Sequence, residues 1–117
     1  MKYTLFAALL LSSAAHAERF SNLNGEKLLQ ICTSSAQEEC ISYIQGVSDT
    51  QNFYQKLRPA DGSHGAKLPS YFCVPTSESG PQMKDAVVAY GKAHSDMLTK
   101  QASGVVLRAL DAAYRCK

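Results

Sequence analysis

The sequence lacks the residue patterns of several common kinds of site. It contains no tryptophan and 3 histidines, and neither a Cys-x-x-Cys nor a His-x-x-x-His spacing occurs, so nothing indicates a zinc site. Lysine and arginine are scattered singly and the formal net charge is +2, whereas a nucleic-acid surface needs a clustered basic stripe. We therefore predict no metal, no cofactor and no nucleic-acid partner.

Catalytic groups are also scarce. A cysteine nucleophile needs an imidazole beside it, and beyond the N-terminal segment only His64 and His94 are present. His94 is better explained as the end of a helix, and no packing pattern accounts for His64 in its glycine-flanked loop. The carboxylates are dispersed at positions typical of solvated helix faces and loops. The sequence therefore predicts a protein that is not an enzyme.

Long apolar runs are missing, with one short exception at the N-terminus. Lys2 is followed by an apolar stretch from Tyr3 to Leu11 and then by Ala15-His16-Ala17, which is the pattern of a secretory signal peptide with an Ala-x-Ala cleavage site. The stretch is too short to span a bilayer. We expect a signal peptide at residues 1–17 and a single exported domain at residues 18–117, without membrane attachment.

Four cysteines indicate a small exported domain reinforced by disulfides. On one continuous helix Cys32 and Cys40 would lie roughly 12 Å apart, beyond the ~7 Å limit on the Cα separation in a disulfide. The hydroxyl-rich residues 33–35 predict a break between two helices, which allows these cysteines to pair. Of the three possible pairings we predict Cys32 with Cys40 and, by elimination, Cys73 with Cys116.

Helical periodicity predicts an all-α fold, a small disulfide-stapled bundle of about four helices with one long loop between helices 2 and 3. Asn24 is a weak candidate cap, whereas Asn22 with Gly25 and Glu26 predicts the start of helix 1, which should run to about Cys32. A capping box at Ser35 should start helix 2, which runs to Leu57 and organises the fold. The apolar residues on its core-facing side are Ile41, Ile44, Val47, Tyr54 and Leu57, with Phe53 and Tyr43 beside them.

Glycine and capping residues add detail to this picture. Gly46 lies inside helix 2, where glycine costs about 1 kcal/mol relative to alanine, so either another backbone crosses closely there or the glycine is incidental. Gly104 is a second candidate for a close crossing, in helix 4. Helix 3 should begin at Pro81 and end near His94. Ser95 should then cap helix 4.

The connection between helices 2 and 3 is rich in proline and glycine, which forbid a regular helix. Cys73 and its apolar neighbours should anchor the middle of this connection to the core and leave two looped-out arms, residues 58–67 and 76–80. Loop residues on a rigid scaffold are good contacts for a partner. The residues that we predict to bind a partner are Asp61, Ser63, His64, Ser77, Glu78 and Ser79.

Most of the chain beyond the signal peptide resembles a known family. The segments are, in order, NGEKLLQIC, CISYIQGVSD, FCVP and VVAYGKAHSDMLTKQASGVVLRALDAAYRC. Together they resemble the Tai family, immunity proteins against type VI secretion amidase effectors of Gram-negative bacteria. The resemblance implies a periplasmic helical domain, usually a homodimer, that binds a peptidoglycan-cleaving cysteine amidase and blocks its active-site groove.

Two further expectations concern partners. Phe53, Tyr54 and Tyr90 exceed what so small a core needs, which predicts a self-complementary patch and a homodimer. The alternative function is that of a periplasmic helical carrier of a small apolar ligand. A carrier should contain a connected apolar cavity on the order of hundreds of Å³, whereas an inhibitor should be packed solid.

Overall fold

The computed structural model describes residues 21–56 and 72–117, with the backbone alone at residues 54–56. Within these ranges the chain forms four α-helices, and a short 3₁₀ helix, Ser95–Met97, precedes the last of them. The described part contains no β-strand, although an isolated antiparallel bridge joins Asn24 and Gln101. The predicted all-α bundle is confirmed. The helices are α1 (Gly25–Cys32), α2 (Gln37–Lys56), α3 (Gly80–Ala93) and α4 (Ala102–Ala113).

The four helices share one core. Each helix contacts the other three, because each presents apolar side chains at steps of three and four residues. Leu28 of α1, Ile44 of α2, Val87 of α3 and Leu110 of α4 are fully buried at its centre. Phe72 is buried with them and fixes the segment before α3 to the core, as the sequence predicted.

Both predicted disulfides are present. Cys32 at the end of α1 is bonded to Cys40 in α2, with Cα atoms 5.0 Å apart, because the turn between the helices brings them together. Cys73 and Cys116, with Cα atoms 4.9 Å apart, join the segment before α3 to the chain that follows α4. The first bridge is buried, whereas both cysteines of the second are exposed. The two bridges therefore differ in their access to solvent.

The starts of α1 and α2 agree with the sequence only in part. Asn24, and not the predicted Asn22, caps α1, because its side chain accepts a hydrogen bond from the Lys27 amide at 2.9 Å. The predicted capping box at Ser35 is wrong, since α2 begins at Gln37. The Ser34 hydroxyl instead accepts a hydrogen bond from the Ala36 amide at 3.0 Å, which stabilises the turn before the helix.

The start of α4 also differs from the prediction. Ser95 begins the 3₁₀ helix, and α4 begins at Ala102. The backbone between them is bonded to the start of α1. The Gly25 amide donates to the Lys100 carbonyl and the Ala102 amide donates to the Leu23 carbonyl, each at 2.9 Å. Because these backbone groups are hydrogen-bonded to Leu23 and Gly25, they cannot form the helical hydrogen bonds that would extend α4 towards Ser95.

The glycines that allow close helix packing are not those predicted. A Cβ built on Gly46 or Gly104 has no described atom within 4 Å, so no close crossing occurs at either position within the described chain. The tight positions are Gly25, Gly80 and Gly91. A Cβ on Gly91 would lie 2.6 Å from Cδ1 of Leu29, because α3 crosses α1 there.

Candidate partner-binding surfaces

The described part of the chain contains half of the predicted partner-binding residues. These three residues, Ser77, Glu78 and Ser79, form the turn that leads into α3. The other three lie outside the described residues, as do the predicted signal peptide and the arm at residues 58–67. The three predicted residues that lie outside the described ranges are Asp61, Ser63 and His64.

The turn before α3 is tied to the end of α4. The Cys73 amide donates to the Tyr114 carbonyl at 2.7 Å, and the Tyr114 hydroxyl donates to Oε2 of Glu78 at 2.7 Å. The disulfide between Cys73 and Cys116 closes the same place covalently. We call these four residues the C-terminal clasp. The clasp holds the turn in a defined position on the helical body.

Two of the three turn residues stabilise the turn itself. Glu78 is part of the clasp, and Ser79 caps α3. The Ser79 hydroxyl accepts from the Gln82 amide at 3.3 Å, and the Gln82 side chain accepts from the Ser79 amide at 2.8 Å, which is a capping box. Ser77 is exposed, and its side chain makes no hydrogen bond to another described residue. Of the three side chains, that of Ser77 is therefore the most available to a partner.

The burial of Tyr114 and its bond to Glu78 predict that the stability of the protein falls in alkali. Burial, together with the hydrogen bond and the charge of Glu78, raises the pKa of Tyr114 from 10.0 to about 12. Because this folded-state pKa lies above the unfolded one, the stability that the phenol contributes is fully present below about pH 10 and is lost as the pH rises towards about 12. Tyr114→Phe should therefore cost about 1 kcal/mol at neutral pH and less in alkali.

Urea unfolding of the wild type and of Tyr114→Phe, at about pH 8 and about pH 11, measures this effect. Burial also raises the pKa of Tyr43, but that group is the same in both proteins and cancels in the difference. The gap in unfolding free energy should narrow at the higher pH. If the difference in unfolding free energy between the two proteins were the same at both pH values, the raised pKa of Tyr114 would be contradicted.

A second surface is an open groove between α2 and α4, with a volume of about 570 Å³. Tyr43, Val47 and Leu107 form apolar walls, and Gly46 leaves part of the floor open. None of the residues that line this α2/α4 groove carries a formal charge. The groove therefore suits an apolar or uncharged occupant. Its other lining residues are Ser42, Thr50, Gln51 and Ser103.

The aromatic residues predicted to line a dimer patch differ in exposure. Phe53 is 62% exposed, although it is large and apolar. Tyr90 is half-buried and stacks on His94, with ring centroids 4.0 Å apart. His94 closes α3, and its Nδ1 lies 2.9 Å from the Tyr90 carbonyl, which confirms its predicted place at the helix end. The side chain of Tyr54 lies outside the described residues.

Several common functional groups are absent from the described parts of the chain. No group of three or more His, Cys, Asp and Glu side chains is placed to hold a metal ion in these parts of the chain. All four cysteines are in disulfides, so none offers a free thiol in this state. Among the helices described, none has the length and apolar character needed to cross a membrane. The turn offers hydrogen bonds, and the groove offers apolar contact.

The described residues thus form a helical domain with two disulfides, an anchored polar turn and an apolar groove. A family profile for Rap1a immunity proteins matches residues 24–116. The chain therefore belongs to the Rap1a immunity protein family, a family of immunity proteins of type VI secretion effectors. Searches of curated proteins and of solved structures return no significant match.

Proposed function

We propose that this protein is a periplasmic immunity protein of the Tai type, which binds a secreted peptidoglycan-cleaving cysteine amidase and covers its active-site groove. Membership of the immunity family supports the proposal. The segment CISYIQGVSD at residues 40–49, which resembles the Tai family, supports the assignment to the Tai type. Two disulfides suit an oxidising compartment. The protein protects the cell from its own or a sister cell's effector, acts as a homodimer and performs no catalysis.

The observation that carries the proposal is the anchored turn at Ser77. An amidase groove that accepts a peptide stem also accepts a narrow, polar, extended segment. The C-terminal clasp holds this turn before any partner arrives, which lowers the cost of ordering it on binding. Asp61, Ser63 and His64 form a second contact in this proposal, on the argument from sequence.

The sharpest test of the turn is Ser77→Arg. The Ser77 side chain takes no part in the clasp or in the cap of α3, so the stability of the protein should not change. A bulky cation in a desolvated contact should weaken binding about tenfold or more. Calorimetric titration against a cysteine amidase encoded beside the gene measures the affinity. Ser35→Arg is the matched control, because Ser35 is exposed in the turn between α1 and α2.

Equal affinities of Ser77→Arg and Ser35→Arg would place this turn outside the interface. The double variant Ser63→Arg/His64→Glu, in the same titration, tests the other arm. Glu78 and Ser79 are poor test positions, because their replacement also breaks the clasp or the cap. Occlusion fails as a mechanism if the protein binds the amidase and leaves its cleavage of peptidoglycan unchanged.

The size of the α2/α4 groove favours a second candidate function, that of a carrier of a small apolar ligand. Its volume of about 570 Å³ lies within the usual range for ligand sites. The groove is nevertheless open at the surface, while Leu28 and Leu110 at the centre of the bundle are fully buried. A carrier would keep its apolar ligand through purification, which native mass spectrometry detects.

A further inference from the structure

The two disulfides hold different parts of the fold. The bridge between Cys32 and Cys40 joins α1 to α2 and is buried, with exposed fractions of 2% and 0%. The bridge between Cys73 and Cys116 lies at the surface and joins the segment before α3 to the chain that follows α4. Cys73 is four residues from Ser77 in the turn. A thiol in solution therefore has access to the bridge beside the turn and not to the bridge in the core.

The surface bridge can open without loss of a core contact. Phe72, the neighbour of Cys73, is 2% exposed and packs in the core. Ser79 begins α3 with its capping box. Neither of these anchors uses the sulfur atoms, so the four helices keep their packing and their buried bridge when the surface bridge is open.

The bridge is the covalent part of the C-terminal clasp. Without it, the clasp consists of the bond from the Cys73 amide to the Tyr114 carbonyl and the bond from the Tyr114 hydroxyl to Glu78, each at 2.7 Å. Among the hydrogen bonds between described residues, none involves residues 115–117. The turn is then held to the end of α4 by two hydrogen bonds, for which water competes.

We propose that the bridge between Cys73 and Cys116 is a redox switch for partner binding, which a dithiol opens to free the Ser77 turn from the end of α4. The proposal rests on the proposed function, which places the partner at this turn. The Glu78 amide still donates to the Pro75 carbonyl at 3.0 Å, so the turn keeps its local form and loses its fixed position. A turn that must be positioned on binding adds an ordering cost, and the affinity falls.

The chemical step is thiol–disulfide exchange. A thiolate of the dithiol attacks one sulfur of the bridge, and the S–S bond breaks as a mixed disulfide forms. The second thiol of the reductant then attacks the mixed disulfide, which closes the reductant's own disulfide. Two electrons and two protons thus pass to Cys73 and Cys116, which become free thiols. Exchange with an oxidised dithiol reverses the step and restores the clasp.

Amide hydrogen exchange followed by NMR tests whether the open bridge frees the turn, without any partner present. The amide of residue 73 is hydrogen-bonded within the clasp. Its protection factor should fall tenfold or more in Cys73→Ser/Cys116→Ser relative to the oxidised wild type. The amide of Ile44, which is fully buried in α2, is the internal control. It should stay protected at labelling times at which residue 73 has exchanged.

Calorimetric titration with the cysteine amidase tests the effect on binding. Cys73→Ser/Cys116→Ser should bind about tenfold or more weakly than the oxidised wild type. Wild type that is reduced briefly with dithiothreitol, then freed of it and kept without oxygen, should bind as weakly as the variant. The variant treated in the same way is the matched control. Its affinity should not change, because its remaining bridge is buried.

Three outcomes would overturn the proposal. They are equal affinities of the oxidised and open forms, an unchanged protection factor at residue 73, and loss of protection at Ile44 together with residue 73, which would mean that the whole domain unfolds. Failure of the proposed function gives a different result, because the oxidised wild type would then not bind the amidase at all. An open form that binds as tightly as the oxidised one rejects the switch and leaves the proposed inhibition standing.

Discussion

Serine at both Cys73 and Cys116 is expected to lower the free energy of unfolding by about 4 kcal/mol. The bridge joins residues 43 positions apart, so its loss releases a long closed loop in the unfolded chain and raises the entropy of that state. Both cysteines are exposed in the folded protein. Serine therefore leaves no cavity and no buried hydroxyl, and urea unfolding of the double variant measures the cross-link itself.

The other disulfide provides the comparison. Cys32 and Cys40 are 8 positions apart, and the same treatment of chain entropy gives that bridge about 2.6 kcal/mol. These cysteines are buried, so a dithiol reductant should open the bridge at Cys73 first. Mass spectrometry after brief reduction and alkylation identifies the free thiols. If Cys32 and Cys40 were alkylated before Cys73 and Cys116, the description of the first bridge as buried and the second as exposed would be wrong.

Gly25→Ala is expected to destabilise the protein by about 2 kcal/mol, as overpacking of a tight contact does. A Cβ at this position would lie 2.9 Å from Cγ2 of Val105 and 3.0 Å from the Leu98 Cα. One of these neighbours is backbone, which cannot rotate away. The Gly25 amide also donates to the Lys100 carbonyl, so α1 cannot shift without loss of that bond. Thermal or urea unfolding measures the cost.

Gly104→Ala is the matched control for that experiment. Its Cβ would meet no described atom within 4 Å, and alanine is favoured over glycine in a helix by roughly 0.5–1 kcal/mol. The control should therefore gain a little stability. A loss at Gly104 comparable to that at Gly25 would mean that neither change reports on helix packing.

These glycines show what a single sequence can and cannot reveal about packing. Gly46 and Gly104 stand out because they interrupt apolar helices, yet both face open space. Gly25, Gly80 and Gly91 lie in close contact with α4, α2 and α1 respectively, and these contacts depend on where two helices cross. Crossing points are set by the whole bundle and leave no mark in local periodicity.

Local signals predicted the helices and the disulfides well. The steps of three and four residues identify the helical segments, and the distance limit on a disulfide forces a turn between Cys32 and Cys40. The start of α4 could not be found in this way. Ser95 looks like a cap, but backbone bonds from Gly25 and Ala102 hold that stretch against α1, and those bonds join distant parts of the chain.

The contacts that the turn residues make within the protein could be predicted only in part. The sequence predicts that Glu78 contacts a partner, whereas its carboxylate accepts a hydrogen bond from Tyr114, 36 residues away, and nothing near Glu78 in sequence indicates that contact. Ser79 did carry a readable signal, because Ser79 and Gln82 have the spacing of a capping box. The surplus of aromatic residues predicts exposed rings, and Phe53 is 62% exposed, whereas Tyr90 is half-buried because it stacks on His94, a contact that joins residues of one helix end.

The backbone pairing between the first and the last helix also bears on how the chain is made. Polypeptides emerge from the ribosome N-terminus first, so the start of α1 is available long before Lys100 and Ala102, to which it is bonded. Leu28 packs in the same core as Leu110. The core therefore cannot be completed until the last helix has emerged from the ribosome, so every shorter nascent chain lacks both the backbone pairing at Leu23 and Gly25 and the packing of Leu28 on Leu110.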